Sequence, residues 1–237
     1  MLDYLLLDVF TRNPLEGNQL AVFLDGRALS GEEMQRIAKE TNLSETTFIL
    51  PEQGKNGAHR VRIFTVDEEL PFAGHPTLGT AAALRTIHGD PSEIVLDLNV
   101  GPVPVRFEMR DGAAFGEMTQ VDPTFGQVHD PAAVAEAAGL DRSSISNDAT
   151  IQTVSTGMPF AIVLLNSVDA LKTMHFDWRR ASQYLASTDA KFLYFLARDP
   201  ARANTFETRM IFYTGEDPAT GSAAGCCISW CVKHGVV

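Results

Sequence analysis

Two stretches in opposite halves of the 237-residue chain repeat one unusual pattern. His75-Pro76-Thr77-Leu78-Gly79-Thr80-Ala81-Ala82 sits over Asp217-Pro218-Ala219-Thr220-Gly221-Ser222-Ala223-Ala224, sharing His or Asp, Pro, two variable residues, Gly, Ser or Thr, and two Ala. A repeat constrains the fold more than any local propensity, because each copy is one structural unit that must find its own place in the core. This one also lies within a longer agreement in element order, which favours duplication over coincidence.

In the first half, "NQLAVFL" (18–24) reads as a strand. "SGEEMQRIAKE" (30–40) reads as a helix opened by a Ser30 and Glu33 capping box, with Met34, Ile37 and Ala38 on one face. The strands "SETTFIL" (44–50) and "HRVRIFT" (59–65) then lead to the turn and helix "GHPTLGTAAALRTI" (74–87). The second half repeats this order. "MPFAIVLL" (158–165) is a strand, and "DWRRASQYL" (177–185) a helix capped by Asp177 with Trp178, Ala181 and Leu185 on one face. "KFLYFLA" (191–197) and "ETRMIFYT" (207–214) are strands, and "DPATGSAAGCCISW" (217–230) is the closing helix.

Two similar domains follow, with the division near residue 120: an N-terminal domain over 1–119 and a C-terminal one over 120–237. At the boundary, in "TQVDPTFGQVHDPAAVAEAAGL" (119–140), Pro123 and Gly126 precede a short helix capped by Asp130, with Pro131 at its first position and Gly139 near its end. After its helix the first half continues with strand-like "EIVLDLN" (93–99), "VPVRFEM" (103–109) and "AAFGEMT" (113–119), whereas the second half stops at Val237. The second domain is therefore expected to lack its final strands.

Composition narrows the partners. A net charge of -11 and a pI near 4.9 argue against nucleic acid and anionic membranes, which need clustered Lys and Arg. No apolar run approaches the roughly 18 residues of a membrane span, and Asp3 and Asp8 stand where a signal peptide would carry basic residues. A cytoplasmic protein with a small anionic substrate is the expectation. Cys226, Cys227 and Cys231 fall on one helix with no second cluster, so they read as small buried hydrophobes in a reducing compartment, not as a metal site or disulfide framework.

The chemistry is sought at the repeated pattern. Proline is tolerated in a first helical turn, and the first-turn N–H groups with the positive end of the helix dipole suit a carboxylate or enolate oxygen. Two such starts could hold a charged substrate between the domains. The same residues also suit close helix packing and ordinary capping. Histidine, however, is not a usual cap, and His75 opposite Asp217 pairs two groups able to hold or pass protons. Glu45, at the head of an apolar strand, reads on its own as a solvated strand-end carboxylate, and the repeat places Asp189 roughly opposite it. There is no P-loop, HExxH or Gly-x-Ser-x-Gly elbow, Thr220 standing where that elbow needs its first glycine. His59, His88, His129, His175 and His234 lack ligand spacing, and surface or structural roles are expected of them.

"DVFTRNPLEGNQLAVF" (8–23), "NLSETTFIL", "FAGHPTLGTAAAL" and "GEDPATGSAAG" resemble, in order and spacing, the PhzF-like family, named for the isomerase of phenazine biosynthesis. The resemblance implies an α+β, diaminopimelate-epimerase-like fold: two pseudo-symmetric domains, each a curved, mostly antiparallel sheet or barrel around a central helix, with the active site between them. It implies isomerisation of a dihydro-hydroxyanthranilate-like cyclic amino or hydroxy acid without metal or organic cofactor, and a homodimer. Carried over residue by residue, it makes Glu45 the proton shuttle, with His75 and Asp217 assisting. It assigns Gly74, Gly221, Ser222 and Asn18 to substrate binding. Epimerases of this fold use paired cysteines, and none of the three cysteines here matches those positions.

Moving a proton between two carbons on one face needs a single base that accepts and returns it, whereas inverting a centre is easiest with a base on each face. One clear glutamate favours isomerisation, its carboxylate tuned by desolvation and the helix-end N–H groups stabilising developing negative charge. Two other readings stay open: an epimerase or racemase with Asp217 or Asp189 as second base, and a non-catalytic small-molecule binder.

Overall fold

Helix α2 (Gly74–Ile87) is made of small residues on almost every side and is buried on almost every side, which requires strands around it instead of along one face. A computed structural model, which describes residues 2–54, 57–212, 215–217 and 219–237, supplies them. The chain divides into two units, Met1–Val121 and Asp122–Val237.

In the first unit, β1 (Tyr4–Val9), β2 (Asn18–Phe23), β3 (Glu45–Gln53), β4 (His59–Phe64), β6 (Glu93–Leu98), β7 (Gly101–Arg110) and β8 (Ala113–Met118) form one sheet in that order, with β5 (Glu69–Leu70) paired to β4. Neighbours are antiparallel except β2 with β3 and β4 with β6. Helix α2 packs against β1, β2 and β3 and also against β6 and β8. A sheet that meets one helix from both ends of its strand order has curled around it. The fit is close at Gly79, where a Cβ would lie 2.6 Å from Leu20 Cδ2 and 2.8 Å from Val9 Cγ2. The small residues of this stretch therefore serve the approach of the unit's own strands.

The opposite face of the sheet is covered by α1 (Gly31–Thr41), which opens on the expected capping box, Ser30 Oγ receiving the Glu33 N–H and Glu33 receiving the Ser30 N–H. Its Met34 and Ala38 pack on Ala21, Phe23, Phe48 and Phe64. Arg62 on β4 holds Glu69 through two hydrogen bonds, at 2.8 and 2.6 Å, tying β5 to the sheet.

The second unit comprises β9 (Thr124–Val128), α3 (Pro131–Ala138), a 3-10 turn (Arg142–Ser144), β10 (Gln152–Ser155), β11 (Pro159–Leu165), α4 (Val168–Thr173), α5 (Trp178–Leu185), β12 (Phe192–Arg198), β13 (Phe206–Phe212), β14 (Gly215–Asp217) and α6 (Gly221–Lys233). Its sheet runs β14-β13-β12-β11-β10-β9, antiparallel except β11 with β12. Both units thus follow one plan: a strand, helical connection, a parallel strand, an antiparallel strand, a short strand and a helix of small residues. Val134, Ala138, Leu171, Ala181 and Leu185 from α3, α4 and α5 pack on Val163, Leu165, Leu193 and Phe195. The caps are those expected, with Asp130 and Asp177 accepting first-turn N–H groups and Gly139 left-handed at φ 68°. Among the described residues no helix is long and apolar enough to cross a membrane.

Two expectations are corrected. The stretch 119–140, read as a boundary with one helix, contains edge strand β9, obscured by a glycine in its middle. Gly126 is there because a Cβ would fall 2.0 Å from Asp189 Oδ2. The short elements β5, β10, α4 and β14 lie outside those read from the sequence. The closing helix starts at Gly221 and not at Asp217. Pro218, Tyr213 and Thr214, assigned to the closing helix and the preceding strand, lie outside the described residues.

Candidate functional site

Glu45 is the first residue of β3 and is 7% exposed, so it is not the solvated strand end that its position suggests. Parallel pairing sets it beside Leu20 of β2, below the start of α2, which packs on both strands. His75, second residue of α2, is 2% exposed. Its Nε2 stands 3.6 Å from Glu45 Oε2 and 3.2 Å from the Gln19 carbonyl oxygen. Its Nδ1 stands 3.2 Å from Asn18 Nδ2. Sequence positions 18, 45 and 75 are thereby joined in one buried polar group within the first unit, with Gly74 beside it as the first residue of α2. The N-cap position is Ala73, which gives that helix no side-chain cap.

One further pair was not singled out in the sequence. Thr47 on β3 and Thr80 on α2 share a buried hydroxyl hydrogen bond of 2.8 Å. Both lie inside quoted motifs, "SETTF" and "HPTLGT", so the signal was a second hydroxyl in each.

In the second unit Asp217 ends β14 and is 7% exposed. Its carboxylate accepts from Thr220 Oγ1 at 2.8 Å and from the Ala219 N–H at 3.4 Å. These local bonds compete with helix geometry, which is why α6 begins four residues later and why His75 and Asp217, matched in sequence, differ in setting: one inside a helix, the other at a strand end. Because Thr220 gives its hydroxyl to Asp217, it supplies no side-chain cap to α6, whose first two residues are Gly221 and the buried Ser222. Across the sheet, Asp217 pairs with Met210 and Met210 with Tyr194, whose phenol is pushed up to about 12 by burial.

Asp189 is not the counterpart of Glu45. It lies in the loop before β12, three residues short of that strand, and accepts from Thr153 Oγ1 at 2.6 Å and from the Gln127 N–H at 2.7 Å. Thr153 Oγ1 is 2.7 Å from His129 Nε2, and His129 Nδ1 is 2.7 Å from the Tyr184 hydroxyl. This chain, buried at His129 and Thr153, ties β9, β10 and α5 together, and it places His129 in a structural role. Cys226, Cys227 and Cys231 are free and buried, burial raising the Cys226 thiol above its ordinary value. Among the described residues no group of three or more His, Cys, Asp or Glu side chains could hold a metal ion.

Two α+β units, the first a sheet curled around a central helix with a buried carboxylate and imidazole at its head, define the diaminopimelate-epimerase-like class of fold. A probable proline racemase of Agrobacterium radiobacter shares the fold, with a TM-score of 0.67 at 12% identity over 100% of this chain and 78% of that one. The chain belongs to the phenazine biosynthesis-like (PhzC-PhzF) family, whose model matches residues 7–237. It is 40% identical over 226 residues to the trans-2,3-dihydro-3-hydroxyanthranilate isomerase of Pseudomonas aeruginosa, covering 94% of this chain and 77% of that protein. A predicted epimerase of Pseudomonas aeruginosa superposes with a TM-score of 0.87 at 35% identity, over 100% of this chain and 83% of that one. By class the chain is an isomerase.

Proposed function

We propose that this isomerase transfers a proton between carbons of a small anionic cyclic amino or hydroxy acid of the dihydro-hydroxyanthranilate type, with Glu45 as the acid and base. The observation that carries the reading is the 3.6 Å approach of His75 Nε2 to Glu45 Oε2, with both side chains buried. Glu45 takes a proton from a substrate carbon as the electron pair enters the conjugated system, then returns it to another carbon of the same face, so no net proton is gained or lost. His75 steadies the carboxylate while it is charged. Asp217, Ser222 and the backbone of Gly74 and Gly221 are assigned to orienting the substrate and its anionic group, an assignment that rests on the family motifs. The relatives' substrate supports it.

The test is Glu45→Gln with trans-2,3-dihydro-3-hydroxyanthranilate in deuterated water. Solvent-deuterium incorporation is expected to stop while binding of the acid persists, and exchange at the wild-type rate would refute the assignment. The homodimer is part of this reading on family grounds, and a single-copy mass by sedimentation equilibrium would refute it. So is the cytoplasm, supported by three unpaired cysteines; secretion of the tagged chain would refute it.

A further inference from the structure

The Gln19 carbonyl oxygen 3.2 Å from His75 Nε2 can only accept a hydrogen bond. Nε2 therefore carries a proton, and that same N–H faces the Glu45 carboxylate at 3.6 Å. At the other nitrogen, Asn18 presents its Nδ2 amide at 3.2 Å. An amide NH2 can only donate, so Nδ1 must offer a lone pair. A proton on Nδ1 would set two donors against each other in a group where Asn18 is 5% and His75 2% exposed, and an unmade hydrogen bond in such a place is costly. The two contacts together favour one state of the ring: neutral, with hydrogen on Nε2.

We propose that Asn18 is a positioning residue that fixes His75 as the neutral Nε2–H tautomer and so bars it from taking the proton held by Glu45. The role differs from the substrate-binding one implied by family resemblance. In the other tautomer, with hydrogen on Nδ1, the Nε2 lone pair would face Glu45 and could take its proton before the return to substrate; the Asn18 amide disfavours that tautomer and leaves Nε2 a hydrogen-bond donor. The inference rests on the reading of Glu45 as the acid and base for its consequence in turnover, but not for the state of the ring.

Asn18 and His75 are 57 residues apart in sequence, joined because β2 begins where α2 begins. The amide donates from the first residue of β2, and the carbonyl that fixes Nε2 belongs to the next residue of the same strand. Two consecutive residues of β2, Asn18 by its side chain and Gln19 by its backbone, thus address both ring nitrogens.

The experiment has two arms. In the first, histidine-selective 15N labelling of the full chain, with the six histidines separated by a His75→Gln variant, reads the ring directly by long-range proton–nitrogen correlation. Wild type is expected to show His75 Nδ1 unprotonated and Nε2 protonated at neutral pH. Asn18→Asp turns the donor into an acceptor and is expected to protonate both nitrogens, while Asn18→Ser keeps a donor and the neutral ring. Wild-type His75 protonated at Nδ1, or an Asn18→Asp ring still unprotonated there, would overturn the proposal. If Asn18→Asp does not fold, the wild-type and Asn18→Ser spectra decide alone.

In the second arm, Asn18→Asp is expected to lower kcat for trans-2,3-dihydro-3-hydroxyanthranilate by at least about tenfold with KM changed by less than about threefold. Asn18→Ser is expected to recover most of kcat. A raised KM with unchanged kcat would overturn the positioning role in favour of substrate contact. Exchange persisting in Glu45→Gln would instead sink the acid–base reading while leaving the spectra to stand.

Discussion

Thr47 and Thr80 share a 2.8 Å hydrogen bond between hydroxyls that are both fully buried, linking β3 to α2 two residues beyond Glu45 and a little over one turn beyond His75. Each hydroxyl finds its partner only while the helix keeps its height along the strand, so the bond holds the register on which the Glu45–His75 distance depends. Thr80→Val leaves the Thr47 hydroxyl buried without that partner and is expected to destabilise the chain by about 1–3 kcal/mol, read as a lower urea midpoint. Thr47→Val with Thr80→Val removes both polar groups and is expected to recover much of the loss. A double-mutant cycle that closes within about 0.5 kcal/mol would show the two residues to be independent.

Much of this architecture is legible before any coordinate, and what is legible has local causes. The capping box at Ser30 and Glu33, the Asp130-Pro131 start and Gly139 stop of α3, and the body of α2 all follow from residues a few positions apart. What the sequence hides is set by distant partners or by weak local rivals. Glu45 looks solvated until the parallel register with Leu20 is known. The contact of Asn18 with His75 is a tertiary event. Asp217 matches His75 in the repeat, yet hydrogen bonds from Thr220 and Ala219 hold it outside the helix. Strand β9 escaped notice through Gly126, whose missing side chain makes room for Asp189.

His129 gives the chain a pH dependence of predictable sign. Burial holds its imidazole below the ordinary value of 6.5, with the Asp189 carboxylate opposing in part. As pH falls through 6.5, the unfolded chain binds a proton that the folded one still refuses, so this group removes stability on acidification and adds no slope well above that value. His59 and His234 are also held low by burial, and the wild-type slope contains all three. His129→Gln retains a donor toward Thr153 and an acceptor toward Tyr184. Its urea midpoint is therefore expected to fall less than that of wild type between about pH 7 and about pH 5.5. Equal falls in the two proteins would refute the assignment.

Asp189 offers the sharpest contrast between a second base and a structural carboxylate. Burial alone would push its carboxyl up, but hydrogen bonds from the Thr153 hydroxyl and Gln127 N–H, with His129 close by, hold it below its ordinary value. Both oxygens are thus engaged by donors from β9 and β10, on a loop three residues before β12, where no strand end presents it as Glu45 is presented. An isomerase with one shuttle does not need it; a two-base racemase would. Asp189→Asn sets an amide nitrogen against one of those donors and is expected to cost about 1 kcal/mol of stability. It is expected to leave kcat within about twofold, less than about 0.5 kcal/mol of barrier. A loss of turnover by more than about a hundredfold with the folded state intact, measured on trans-2,3-dihydro-3-hydroxyanthranilate at a temperature well below the melt, would make Asp189 a catalytic base and reverse the choice between the two chemistries.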